Sequence, residues 1–289
     1  GSTNLAFSVP LACAHLLGLN NEQAINALGM SVTHGGVLDA SSHGQMPASK
    51  SLLDGIVAMQ AVVATLLAQR GITGPREVIE GRGGYATAVA GQCDLQGLLA
   101  PIGKWKILES YTKRYNTGKC GQTAVAAALK LAEEHHLTWR DMTSIEIGLA
   151  KRDAESQSKN PSATRPESRD TANHSVRYCV AAALVDGDLG YEQFEPEKLH
   201  SPEILSVLDR TSVYWEKEHD KDWPGANPST IRVRTTNGHE HAKAVVIAPG
   251  HPSEPFSDEV LEHKFRQLAG KHLTSSHLEK VIDICHRLE

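Results

Sequence analysis

Basic residues are not in excess in this chain: 29 Lys and Arg stand against 34 Asp and Glu, giving a formal net charge of −5 and a pI near 6.3. That balance argues against a nucleic-acid or membrane-surface binder, which usually carries a basic face. A small anionic substrate remains compatible, because a local group of lysines can sit within an acidic protein. No run of about 18 uninterrupted apolar residues occurs, so a membrane span is not expected. The first residues also lack the basic start, apolar stretch and small-residue cleavage site of a secretory signal. The expected location is the cytosol or an organelle matrix. Cysteine pairs at C-x-x-C spacing are missing too. Cys13, Cys93, Cys120, Cys179 and Cys285 are odd in number and scattered, which suggests reduced thiols rather than a disulfide framework or a cysteine zinc site. No internal repeat of fixed period is present.

What is there is ordinary globular composition, 40% hydrophobic and 22% charged over 289 residues, enough for one or two domains with a large core. From Phe7 to Ala100 the pattern is helical and rich in small residues. Helices are predicted over 8–17, 22–33 and 52–69, the last with Leu52, Ile56, Met59, Val63, Leu66 and Leu67 as its apolar stripe. Gly71 and the following Gly74-Pro75 should stop that helix. Near Lys106 the character changes. A helix is predicted over 122–135, a strand over 144–150, a polar loop over 151–173 and a helix over 174–185. Two alternating segments, 230–235 and 240–247, flank Asn237-Gly238, a strong hairpin signal. Helices return at the end: Ser257 is a good N-cap, Asp258 and Glu259 suit the first turn, and a final helix covers about 276–288.

Several residues could carry chemistry. Lys50 stands at the head of the 52–69 helix, where its ammonium and the free N–H groups could meet a carboxylate; the alternative is a solvated first-turn lysine. NTGKCG at 116–121 fails as a phosphate loop. Lys113 stands where the first glycine is needed, and Cys120 cannot replace the Ser or Thr that binds magnesium. Cys120 near Lys119 is a weak nucleophile candidate without a histidine partner, and a structural thiol is the stronger reading. Tyr178 can donate a hydrogen bond or fill a core, and His174, four residues earlier, would share its helix face. His239 and His241 alternate on a predicted strand, with His251 beyond. They lack the further ligands of a zinc motif, so no functional metal is expected.

Four segments together carry a resemblance: GQMPASKSLLDG at 44–55, GITGPREVIEGRGG at 71–84, RDTANHSVRY at 169–178 and PGHPSEPFSDEVLEHKF at 249–265. In this order they resemble the MmgE/PrpD family, from about Leu5 to the chain's end. The resemblance implies a mainly α fold with an α+β lid. An all-helical core domain would be built from 1–108 and 258–289, and an inserted α+β domain would cover 109–257. It implies small di- or tricarboxylate substrates, no metal or organic cofactor, and a homodimer. It also implies cofactor-free removal of a proton next to a carboxylate, followed by dehydration, decarboxylation or epimerisation. The pattern lies nearest the 2-methylcitrate dehydratase branch.

Within that resemblance Lys50, Lys113 and Tyr178 fall on active-site positions, and Cys120 and Gly118 replace a histidine and a glutamate. Relatives carry more than a hundred residues before the equivalent of Leu5, including a site aspartate and histidine. The chain is therefore expected to be incomplete or shortened, with His34 and His43, which both lie before Lys50, as candidate local substitutes. The reading from another class is a catalytically incomplete carboxylate-binding or assembly protein.

Overall fold

The computed structural model describes residues 2–42, 44–91, 94, 96, 97 and 103–288. His43 and Cys93 lie outside the described residues. The protein is mainly helical with one small mixed sheet, and it divides into two compact units, Gly1–Lys104 and Trp105–Glu289. The second unit includes the C-terminal helices that the resemblance groups with the helical core.

In the first unit, α1 (Leu5–Leu16), α2 (Asn21–His34) and α3 (Leu53–Gln69) pack on one another. Asn20 and Gln23 start α2 with a reciprocal capping box: the Asn20 side chain accepts from Gln23 N at 2.9 Å, and the Gln23 side chain accepts from Asn20 N at 3.1 Å. Helix α3 is entered through a 3-10 turn, Ala48–Leu52, and ends just before Gly71, whose φ of +89° few other residues would adopt. Close approach is needed beyond it, since a Cβ on Gly29 would lie 2.3 Å from the Pro75 carbonyl oxygen.

The apolar stripe expected to bury α3 does not do so. Val57, Ala61, Ala64, Thr65 and Ala68 form the buried face, while Ile56, Met59, Val63, Leu66 and Leu67 are 41%, 61%, 50%, 46% and 43% exposed. The physical reason is that two neighbouring helices approach closely only across alanine-sized side chains, so the small face turns inward. Ala48–Gln69 is by length and composition apolar enough to cross a membrane, which its sequence, interrupted by Lys50 and Asp54, did not suggest.

The second unit has a denser core. Helix α4 (Lys119–Glu134) lies against the sheet, whose order is β2-β1-β3-β4 with β1 (Met142–Leu149), β2 (Thr211–Trp215), β3 (Ser229–Thr235) and β4 (Glu240–Val245). β1 pairs parallel with β2 and antiparallel with β3, and β3–β4 is the hairpin expected around Asn237-Gly238, with Gly238 at φ +86°. Ile145, Ile147, Leu149, Ile231 and Val233 face a core shared with Leu131 and the alanines of α4.

The segment read as a polar loop is helical: α5 (Lys151–Lys159), α6 (Pro161–Thr164) and α7 (Arg169–Ala172) precede α8 (Val176–Asp186). Pro161 takes the first helical position, where its missing N–H costs nothing, and the Asn160 side chain caps the turn by accepting from Ser162 N. Short helices α9 (Pro196–Leu199) and α10 (Pro202–Asp209) lead into β2, and α11 (Asp258–Ala269) and α12 (Ser275–His286) close the chain.

Candidate functional site

Each unit positions its own candidates. In the first, Lys50 lies on the wall of a cleft of about 740 Å³ that also presents Ser41, Ser42, Ser51 and Asp54. The 3-10 turn puts it there, with Lys50 N donating to the Pro47 carbonyl at 2.9 Å. Leu5, Val37, Leu38 and Leu53 complete a mixed wall in which Lys50 and the serine hydroxyls are the groups able to meet an anion. His34 does not line this cleft. Its Nδ1 donates to the Met30 carbonyl at 2.8 Å on its own helix.

In the second unit the segment before α4 is held by Gln122, which is fully buried. Its Oε1 accepts from Tyr115 N at 3.1 Å, and its Nε2 donates to the Tyr115 and Thr117 carbonyls at 2.8 and 3.2 Å. This clamp fixes the loop at Tyr115 and Thr117, just after Lys113 and Arg114. The Lys113 ammonium makes no hydrogen bond or ion pair among the described residues, whereas Lys119 donates to the Pro224 carbonyl at 2.8 Å.

Cys120 opens α4. Part of the residue reaches solvent, yet burial of its thiol pushes the pKa up to about 12, with the Asp153 carboxylate and Cys179 adding to the effect. Such a thiol is protonated at neutral pH, which disfavours the nucleophile reading. Asp153 accepts from Asn227 Nδ2 at 2.8 Å, and the buried Oδ1 atoms of Asn227 and Asn173 have no hydrogen-bond donor among the described residues. Sequence reasoning missed Asp153 and Asn227. They reach this neighbourhood from 33 and 107 residues beyond Cys120, with no local motif to mark them.

His174 does not share a helix face with Tyr178. Helix α8 begins at Val176, capped by Ser175, and His174 occupies the turn before it. His174 Nδ1 donates to the Asp170 carbonyl at 2.7 Å, which makes Nε2 the proton acceptor of the neutral ring. Tyr178 is fully buried. Its hydroxyl donates to the Gln193 carbonyl at 2.6 Å and its ring lies 5.9 Å from Phe194, the environment of a core tyrosine. Burial raises the phenol's pKa well above its ordinary value, with Cys179 and Asp186 acting in the same direction.

The histidines considered for a metal are not brought together as the sequence suggested. His239 and His241 rings lie 6.4 Å apart, but His251 sits beside Tyr111 at 6.0 Å, and His135 of the α4 C-terminus stacks on His241 at 4.0 Å. Among the described residues no group of three or more His, Cys, Asp or Glu is arranged to hold a metal.

Comparison with known proteins agrees with this two-unit division. Residues 1–97 match the MmgE/PrpD N-terminal domain and residues 115–289 the MmgE/PrpD C-terminal domain, so the chain belongs to the MmgE/PrpD family. Its relatives include cis-aconitate decarboxylases. The mouse protein (Mus musculus) is 25% identical over 289 residues, covering 96% of this chain and 57% of the relative. The Homo sapiens protein is 24% identical over 96% of this chain and 57% of the relative, and that of Aspergillus terreus 25% over 96% and 59%. The chain thus spans less than two thirds of the length of these relatives.

Proposed function

We propose that this chain forms the carboxylate-handling part of a MmgE/PrpD-type lyase that acts on a small di- or tricarboxylate. The observation that carries the reading is Lys50 on the wall of a cleft that also presents serine hydroxyls, in a chain that matches both the N-terminal and the C-terminal domain of the family. Cis-aconitate is the first substrate to test, because the relatives are named for its decarboxylation. In that reaction a C–C bond breaks, carbon dioxide leaves, and the electron pair left behind next to a remaining carboxylate takes up one proton. Cations that stabilise the developing charge and a group that delivers the proton are the requirements. Lys50 is the cation that the first unit offers in its cleft, and Lys113 the one that the second unit offers. His174 is the second unit's candidate for that acid. Dehydration of a 2-methylcitrate-like acid needs the same cations and a base for the proton next to the carboxylate, and is the second reaction to test.

Proton NMR in D2O of the purified chain with cis-aconitate, citrate and 2-methylcitrate separates these outcomes. Loss of a carboxyl, a new vinyl signal or deuterium uptake names the reaction, and Lys50→Met should abolish it. If none of these acids reacts or binds, the carboxylate reading falls and an assembly role takes its place.

A further inference from the structure

We infer that Lys264, together with Lys113 and Arg114, forms a cationic subsite on the second unit that takes a carboxylate of a small acid; the inference rests on the function proposed above. Lys264 lies on α11, and its Nζ donates a hydrogen bond to the Lys113 carbonyl oxygen. The contact is built rather than incidental. Thr112 N donates to the Gly250 carbonyl at 3.1 Å, and Gly250, at φ +85°, packs so tightly that a Cβ there would lie 2.2 Å from the Thr112 oxygen and 2.4 Å from the Phe256 ring. The return segment that leads into α11 is therefore pressed onto the loop that carries Thr112 and Lys113.

The charge gathered there is unbalanced. Arg114 has one ion pair, to Asp188 at 3.4 Å, and both side chains are well exposed. Lys113 has no counter-ion among the described residues. The charged groups that act on Lys264 are both cations: burial lowers its pKa first, and Arg114 and then Lys113 lower it further. Three cations with the single Asp188 carboxylate among them repel one another, more so where water is partly excluded. An incoming carboxylate relieves that repulsion and accepts charge-assisted hydrogen bonds, with Arg114 able to meet both of its oxygens. No apolar or cationic ligand would gain from this arrangement.

The test is a titration of the lysine Cε resonances in the 13C-lysine-labelled full chain, with the Lys264 and Lys113 signals assigned by Lys264→Arg and Lys113→Arg. Tricarballylate, an unreactive tricarboxylate, is the probe, and sulfate at the same concentration is the control. The expected result is a Lys264 midpoint below the ordinary 10.5 that rises when tricarballylate binds and also rises in Lys113→Met without any acid. Lys264→Met should weaken tricarballylate binding by about tenfold or more, with Lys264→Arg restoring most of it, as a charge-assisted hydrogen bond predicts. If tricarballylate binds while the Lys264 midpoint stays still, the subsite is overturned and the proposed function stands. If no acid binds anywhere, both fall. An equal shift with sulfate would overturn the assignment to a carboxylate.

Discussion

Tyr178 donates its buried hydroxyl to the Gln193 carbonyl, so its removal tests whether a motif tyrosine is holding the core or reaching a substrate. Tyr178→Phe leaves that carbonyl without its donor and should lower stability by about 1–3 kcal/mol in urea unfolding. A large loss of turnover with unchanged stability would instead place the hydroxyl in the chemistry. The cysteines divide in the same way. With their thiols pushed up to about 12 by burial, Cys120 and Cys179 should resist iodoacetamide at pH 8, while exposed Cys285 reacts first. Peptide mass spectrometry reads the order directly, and rapid labelling of Cys120 in the folded chain would revive it as a reactive group. The sequence pointed to Lys50 and Lys113 through their motifs. It could not point to Lys264, because an ordinary helical lysine acquires its role only when the chain folds back on Lys113.

Among the elements, those with strong local chemistry were legible: the Asn237-Gly238 hairpin, the end of α3 before Gly71 and the Ser257 start of α11. Others were not. Helix α5, KRDAESQSK, buries only Ala154 and so lacks an apolar period, and the five residues of β2 are too few to show alternation. In α3 the period was right but the face was wrong, because close helix packing selected the alanines. Overfilling that face should therefore cost more than trimming the other. Ala61→Leu is expected to destabilise by about 1–3 kcal/mol, against about 0.5 kcal/mol or less for exposed Met59→Ala, both by urea unfolding.

The α11–α12 pair carries its own pH dependence. His286 Nε2 meets the Glu262 carboxylate at 2.8 Å, which raises the imidazole's pKa and, with Arg266, lowers that of Glu262. A raised histidine stabilises the fold fully below its ordinary 6.5, and that contribution is lost as pH rises through the raised value. A depressed glutamate does so above its ordinary 4.5, and its contribution is lost as pH falls through the lowered value. Hydrogen exchange of α12 amides should be slowest between those two ordinary values. His286→Gln should remove the alkaline limb only, and a wild-type profile flat across it would discount the pair.

At the scale of the whole molecule, the two units differ in what holds them. The second buries Leu131, Ile145, Ile147, Tyr178, Phe194, Ile204, Leu208 and Ile231 in one continuous cluster. Each such side chain is worth about 1.5–3 kcal/mol when removed from water. In the first, Val32, Met46 and Val57 are the only described buried hydrophobic residues larger than alanine, while most of the large apolar side chains of α3 stay in solvent. Alanine contributes little transfer energy per residue, so the entropy of ordering three helices is opposed by much less burial there. Unfolding of the chain is therefore expected in two steps, the first unit melting at lower urea. A fragment covering 105–289 should retain the later, cooperative transition at nearly the same midpoint. The exposed face of α3 should make the first step sensitive to protein concentration, because apolar patches of that kind associate. Met59→Glu with Val63→Lys should suppress that association in sedimentation velocity and leave the second transition unmoved. A single transition for the chain, shifted by these two substitutions, would mean that the first unit draws its stability from the second rather than from its own helices.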